Sequence, residues 1–65
     1  MLLTYLGVGE SGIISKNRNP QLVTKGLRVG VSIKVDKKTN TDFTIDANGI
    51  KHKISLQQSR QIDVY

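Results

Sequence analysis

The sequence predicts a mainly β fold, about five short strands curled into a small barrel, with one or two single helical turns. Three observations carry this. Apolar and polar residues alternate at Val31, Ile33 and Val35, again at Phe43, Ile45 and Ala47, and briefly at Ile62 and Val64, which is the period of a half-buried strand. No apolar pattern of helical spacing extends beyond a turn. Asn48-Gly49 stands between two strand runs, and this pair tolerates the positive φ that both central positions of a type I′ turn require. Short strands in so small a chain leave costly open edges, and curling into a barrel removes most of them.

Taken in order, Leu3 and Leu6 stand three apart and read as one turn tucked under the core. Glu10–Ser15 is the first strand, with Gly12, Ile13 and Ile14 as its buried stretch, and Lys16–Asn19 (KNRN) closes it as a polar loop. Pro20 suits a first helical position ahead of Leu22 and Val23. Gly26 follows where a chain leaving a helix needs positive φ, and Gly30 marks a second corner before a strand that runs from Val31 to about Val35 or Lys37. Lys37–Thr41 has no apolar residue and reads as an exposed hairpin loop. The third strand is Phe43–Ala47. The fourth, Ile50–Ser55, puts Ile50, His52 and Ile54 on one face and Lys51, Lys53 and Ser55 on the other. Leu56–Arg60 is a helical turn and Ile62–Val64 the last strand. An SH3-like barrel suits this count better than an OB-fold, which wants a longer chain and a full helix.

With 65 residues, a single domain is expected, burying only about 60% of the surface its unfolded form exposes. There is no cysteine, so neither a disulfide nor a thiolate metal site reinforces it. Ten Lys and Arg against five Asp and Glu give a net charge of +5, which favours anionic partners. Nothing reads as a targeting or membrane-spanning segment, so no membrane insertion is expected.

Gly7-Val8-Gly9-Glu10-Ser11-Gly12 spells GxGxxG. A dinucleotide site needs a strand before it and a long helix after it, and here Ile13-Ile14 continues as strand, so these read as turn glycines. His52 is the lone histidine; by alternation it is a packed, hydrogen-bonded core residue. Asp42 and Asp46 share a strand face with Asp36 across the loop, but Fe(II) or Zn(II) sites use several imidazoles, thiolates or converging carboxylates. The serines have no second histidine to act as base, so no triad is available. No catalytic, metal-ligating or cofactor-binding residue is therefore assigned. Lys34, Lys51 and Lys53 point outward, with Lys37 and Lys38 in the loop between, a possible basic stripe for nucleic acid. Single-strand recognition also wants stacking aromatics, and Phe43 belongs inside.

The run from Leu3 to Val64 resembles the FeoA family of small ferrous-iron-transport accessory proteins. The resemblance lies in Leu3, Leu6, Gly9, Gly12 and Ile13; in Leu22 followed by Lys25-Gly26-Leu27-Arg28-Val29-Gly30, Ile33 and Val35; and in Ser59, Ile62 and Val64. Lys25 stands where the family usually has an aliphatic residue, Val29 where proline is common, and Ser59 where alanine is common. The resemblance implies an SH3-like barrel and a non-enzymatic, cytoplasmic protein. It further implies docking on the cytoplasmic part of the membrane transporter FeoB in support of Fe(II) uptake. Loops on a rigid barrel are the usual binding surface, which points to Lys25 and Arg28 for partner contact. Two alternatives stand beside this: a nucleic-acid-binding barrel using Lys34, Lys51 and Lys53, and a metal-sensing domain related to the C-termini of DtxR-type repressors.

Overall fold

Asn48 and Gly49 adopt φ of 55° and 80°, the left-handed pair expected of them. The hairpin they close joins β3 (Asp42–Ala47) to β4 (Ile50–Ser55), in register from Ala47 opposite Ile50 to Asp42 opposite Ser55. The computed structural model describes residues 1–65. Ahead of that hairpin come a 3₁₀ turn (Leu3–Tyr5), β1 (Ser11–Asn17), α1 (Pro20–Thr24) and β2 (Ser32–Lys38). After it come α2 (Leu56–Ser59) and β5 (Ile62–Val64). The strands form one antiparallel sheet in the order β4-β3-β2-β1-β5, so β5 returns beside β1 as in an SH3-like barrel.

Curvature comes from two bulges, between Ile14 and Lys16 in β1 and between Val35 and Lys37 in β2. A bulge bends its strand and increases the local twist. Principal extents of 23 × 21 × 20 Å are those of a curled sheet rather than a slab. Thirteen buried apolar residues fill it, among them Leu3, Leu6, Ile14, Leu22, Leu27, Ile33, Val35, Phe43, Ile45 and Ile62. No helix is long and apolar enough to cross a membrane.

The structure corrects four expectations. β1 runs on through Asn17, because Lys16 and Asn17 pair with Asp63 and Ile62 of β5; the polar run KNRN is thus half strand. Ile13 is not buried but 45% exposed, since the barrel's inner row at this end of β1 is Gly12 and Ile14. Lys37 and Lys38 belong to β2 rather than to a loop. The Asp36 bulge shifts the alternation by one, so that Lys38 stands opposite the inward-facing Phe43. Lys38 Nζ sits 5.1 Å from the Phe43 ring centre and donates to the carbonyls of Thr4 (2.9 Å) and Leu6 (3.2 Å). A cation over an aromatic face is attracted by the ring, and here it also closes the barrel end under the 3₁₀ turn. The fourth correction, at His52, concerns the candidate site.

Of the two readings given for Gly12, the strand one holds. It lies within β1, and a Cβ there would stand 3.1 Å from Val64 Cβ and 3.3 Å from Leu6 Cδ1. Both neighbours are buried, and Val64 is held by its pairing with Ile14. Gly12→Ala is expected to destabilise the fold by about 1 kcal/mol, read as a lower urea midpoint; an unchanged midpoint would show that β5 yields freely.

Candidate functional site

One cleft opens in the surface, about 180 Å³ in volume, between α1 and β4. Leu22 and Lys25 line it from the helix side, Lys51, His52, Lys53 and Ile54 from the strand. Its wall is cationic and contains no carboxylate; Leu22 and Ile54, both buried, supply its apolar lining.

The helix side is fixed by local chemistry. Asn19 caps α1, its Oδ1 accepting from Leu22 N at 3.1 Å, and Pro20 takes the first turn. Gly26, at φ 100°, turns the chain out of the helix, while the amides of Lys25 and Leu27 both return to the Leu22 carbonyl at 3.1 Å. Lys25 thus stands at the C-terminal end of α1, where a cation complements the free carbonyls.

The corner is pinned from below by the run expected to be a plain loop. Asn17 Nδ2 donates to the Leu27 carbonyl at 2.7 Å, and Asn17 Oδ1 accepts from Asn19 N at 2.9 Å. Asn19 Nδ2 reaches Gln61 Oε1 at 2.8 Å. Arg18 Nη1 donates to Asp63 at 2.9 Å, and Nη2 to the Arg60 carbonyl at 3.0 Å. The Arg18 guanidinium holds the Asp63 carboxyl below the usual carboxylate range, chiefly through that hydrogen bond. A carboxyl more acidic in the folded chain stabilises it above its unfolded pKa, and that contribution is lost as pH falls through the folded value. Arg18→Gln is therefore expected to flatten the fall in melting temperature below about pH 4; an unaltered acid limb would contradict this.

His52 departs from its expected place. It is half-buried rather than packed in the core, and none of the side-chain hydrogen bonds involves it. The reason is the end of the sheet: β4 has a neighbour on one side only, so its inward row faces the cleft. Ile50, on the same row, is 61% exposed. Of the two corner residues singled out by sequence, Lys25 lines the cleft, and Arg28 is exposed outside its lining. Sequence reasoning missed the pairing of Lys25 with Lys51, His52 and Lys53, which are distant in the chain. It also missed the capping box at α2, where Ser55 Oγ accepts from Gln58 N (3.0 Å) and Gln58 Oε1 from Ser55 N (2.9 Å). That signal, Ser-x-x-Gln ahead of a turn, was legible.

On the outer face the lysines do not form an unbroken stripe. Lys34 of β2 and Lys51 of β4 both stand opposite Asp46 of β3. Lys51 Nζ donates to Asp36 at 2.6 Å, which raises the lysine's pKa, and Lys53 lies 3.8 Å from Asp42. Asp46 Oδ1 accepts from Gly49 N at 3.0 Å. No three His, Asp or Glu side chains converge in a metal-holding group.

No family model and no curated protein matches the sequence. The three-dimensional comparison does find matches. One is the crystal structure of an iron uptake regulatory protein (FeoA), at a TM-score of 0.88 and 23% identity, covering 98% of this chain and 93% of that one. The chain has the FeoA fold. A second, the solution NMR structure of the FeoA protein from Chlorobium tepidum, matches at a TM-score of 0.89 and 21% identity over 100% of this chain and 69% of that one. The five-stranded antiparallel sheet with two short helices is therefore the FeoA arrangement.

Proposed function

We propose that this chain is a cytoplasmic accessory protein of ferrous-iron uptake that acts by protein contact, docking on the cytoplasmic part of an FeoB-type transporter through the basic cleft. The observation that carries this reading is the near end-to-end match to an iron uptake regulatory protein, 98% of one chain on 93% of the other. The cleft supports it chemically. Its lysines and its apolar lining suit holding a protein surface. Its one imidazole has lysines for neighbours in sequence and no carboxylate in the lining to orient it, an arrangement ill-suited to general base work. Fe(II) is in this reading the transporter's cargo, and the chain regulates its passage without carrying it.

Isothermal titration against the cytoplasmic domain of FeoB tests the proposal. Saturable binding at micromolar concentration is expected, weakened by Lys25→Glu. Absence of detectable heat at high micromolar concentration would sink it. In the same assay series, a gel shift on single-stranded RNA that falls steeply with salt would favour the nucleic-acid alternative; the carboxylates set among the outer lysines argue for no shift.

A further inference from the structure

β4 is the uncovered end of the sheet. It pairs with β3 alone, whereas the other end, β5, is covered by the N-terminal run through a bridge from Leu2 to Asp63 and a bond from Val64 N to the Met1 carbonyl. In a hairpin closed by a two-residue I′ turn, the flanking pair Ala47/Ile50 exchanges both backbone hydrogen bonds, and every second pair after it does the same. Ile45/His52 and Phe43/Ile54 follow. The N–H and C=O groups of Lys51 and Lys53 are then turned away from β3, and none of the backbone bonds outside the ladders uses them. Ser55 has the same parity, and its N–H is taken by Gln58 Oε1, which ends the free edge.

We infer that this edge takes an extended, acidic segment of a partner protein as an added strand, bonded to the backbone of Lys51 and Lys53, with the side chains of Lys51 and Lys53 on its outer face and Lys25 on its cleft face. Charge decides the occupant. Lys51 and Lys53 side chains are 65% and 75% exposed and held only by surface ion pairs, so they can turn to an incoming carboxylate. Lys25 lines the cleft on the other face of the edge, beside the row of His52 and Ile54, and is in no salt bridge. A second copy of β4 would set lysine against lysine, which repels. An added strand alternates its side chains: carboxylates on one face meet Lys51 and Lys53, and small apolar residues on the other meet Leu22 and Ile54, with Lys25 at the rim of the cleft. The inference rests on the docking reading above only for the partner's identity; the mode of contact stands on the edge itself.

The test is an NMR titration of the ¹⁵N-labelled chain with a capped heptapeptide alternating Glu and Val, followed by amide exchange. Exchange at Lys51 and Lys53 is expected to slow by roughly tenfold or more at saturation. A peptide of alternating Lys and Val should leave both amides unprotected, and so should the Glu-Val peptide N-methylated at alternate residues. Lys53→Pro removes an N–H that the β3 ladder does not use and should abolish binding; should that variant not fold, the N-methylated peptide reads the same bond. Unchanged exchange at Lys51 and Lys53, or equal binding of the N-methylated or lysine peptide, would overturn the inference. Binding of the FeoB cytoplasmic domain without protection of the two amides would overturn it while leaving the docking reading in place. Protection by the peptide without binding of that domain would support the edge and remove the docking reading.

Discussion

Phe43→Ala is expected to lower the melting temperature by about 12 °C or more. Phe43 is the largest fully buried side chain, and Lys38 closes over its ring. Truncating such a residue costs about 3–5 kcal/mol, the lost transfer term plus the cavity it leaves. A domain of this length has about 3–10 kcal/mol in all, with no disulfide to hold a loosened fold together. The same change removes the ring from under a lysine whose other contacts cap the 3₁₀ turn, so that turn loosens with the core. Phe43→Leu, which keeps most of the volume, should cost about 1 kcal/mol. Circular dichroism during a thermal melt reads both. A cooperative Phe43→Ala transition within a few degrees of the parent would mean that the core closes over the gap.

The second large effect is expected at Asn17→Ala, a substitution on a residue that is only half-buried. Its side chain donates to the Leu27 carbonyl and accepts from the Asn19 amide, so alanine strands two backbone groups beneath the corner. Leaving such groups unpaired costs about 1–3 kcal/mol in all, since water reaches part of the site. The loss is directional. Asn19 caps α1, and α1 presents Lys25 to the cleft, so the cleft is expected to widen before the barrel melts. Faster exchange of the Asn19 and Leu27 amides, with the β2–β3 ladder unaffected, is the expected signature. Uniform acceleration across the sheet would instead make Asn17 a general stability residue.

These two cases also show what was legible in the sequence. Phe43 was readable because alternation with Thr44 and Asp46 assigns it to one face, and the Asn48-Gly49 turn fixes the register that keeps it there. Pro20, Gly26 and Gly30 were readable because fixed or positive φ leaves few residue choices. Asn17 was not: a polar side chain that replaces backbone hydrogen bonds looks like any loop residue until the fold brings the Leu27 carbonyl, ten positions on, beside it. Local spacing could not foresee the Asp36 bulge, which reverses the faces of Lys37 and Lys38. The cleft was legible in one residue, Lys25, because a helix C-terminus beside a glycine is a predictable corner. Its other wall was hidden because alternation tells which face His52 is on, and not that the sheet ends there.

The most direct test of the central claim maps contact on the folded chain: titrate the ¹⁵N-labelled protein with the unlabelled cytoplasmic domain of FeoB and follow every backbone amide. The account predicts that shifts concentrate at Leu22, Lys25 and Lys51–Ile54. Shifts confined to the opposite side of the barrel around Ser11–Ile13, or none at saturating domain, would contradict it.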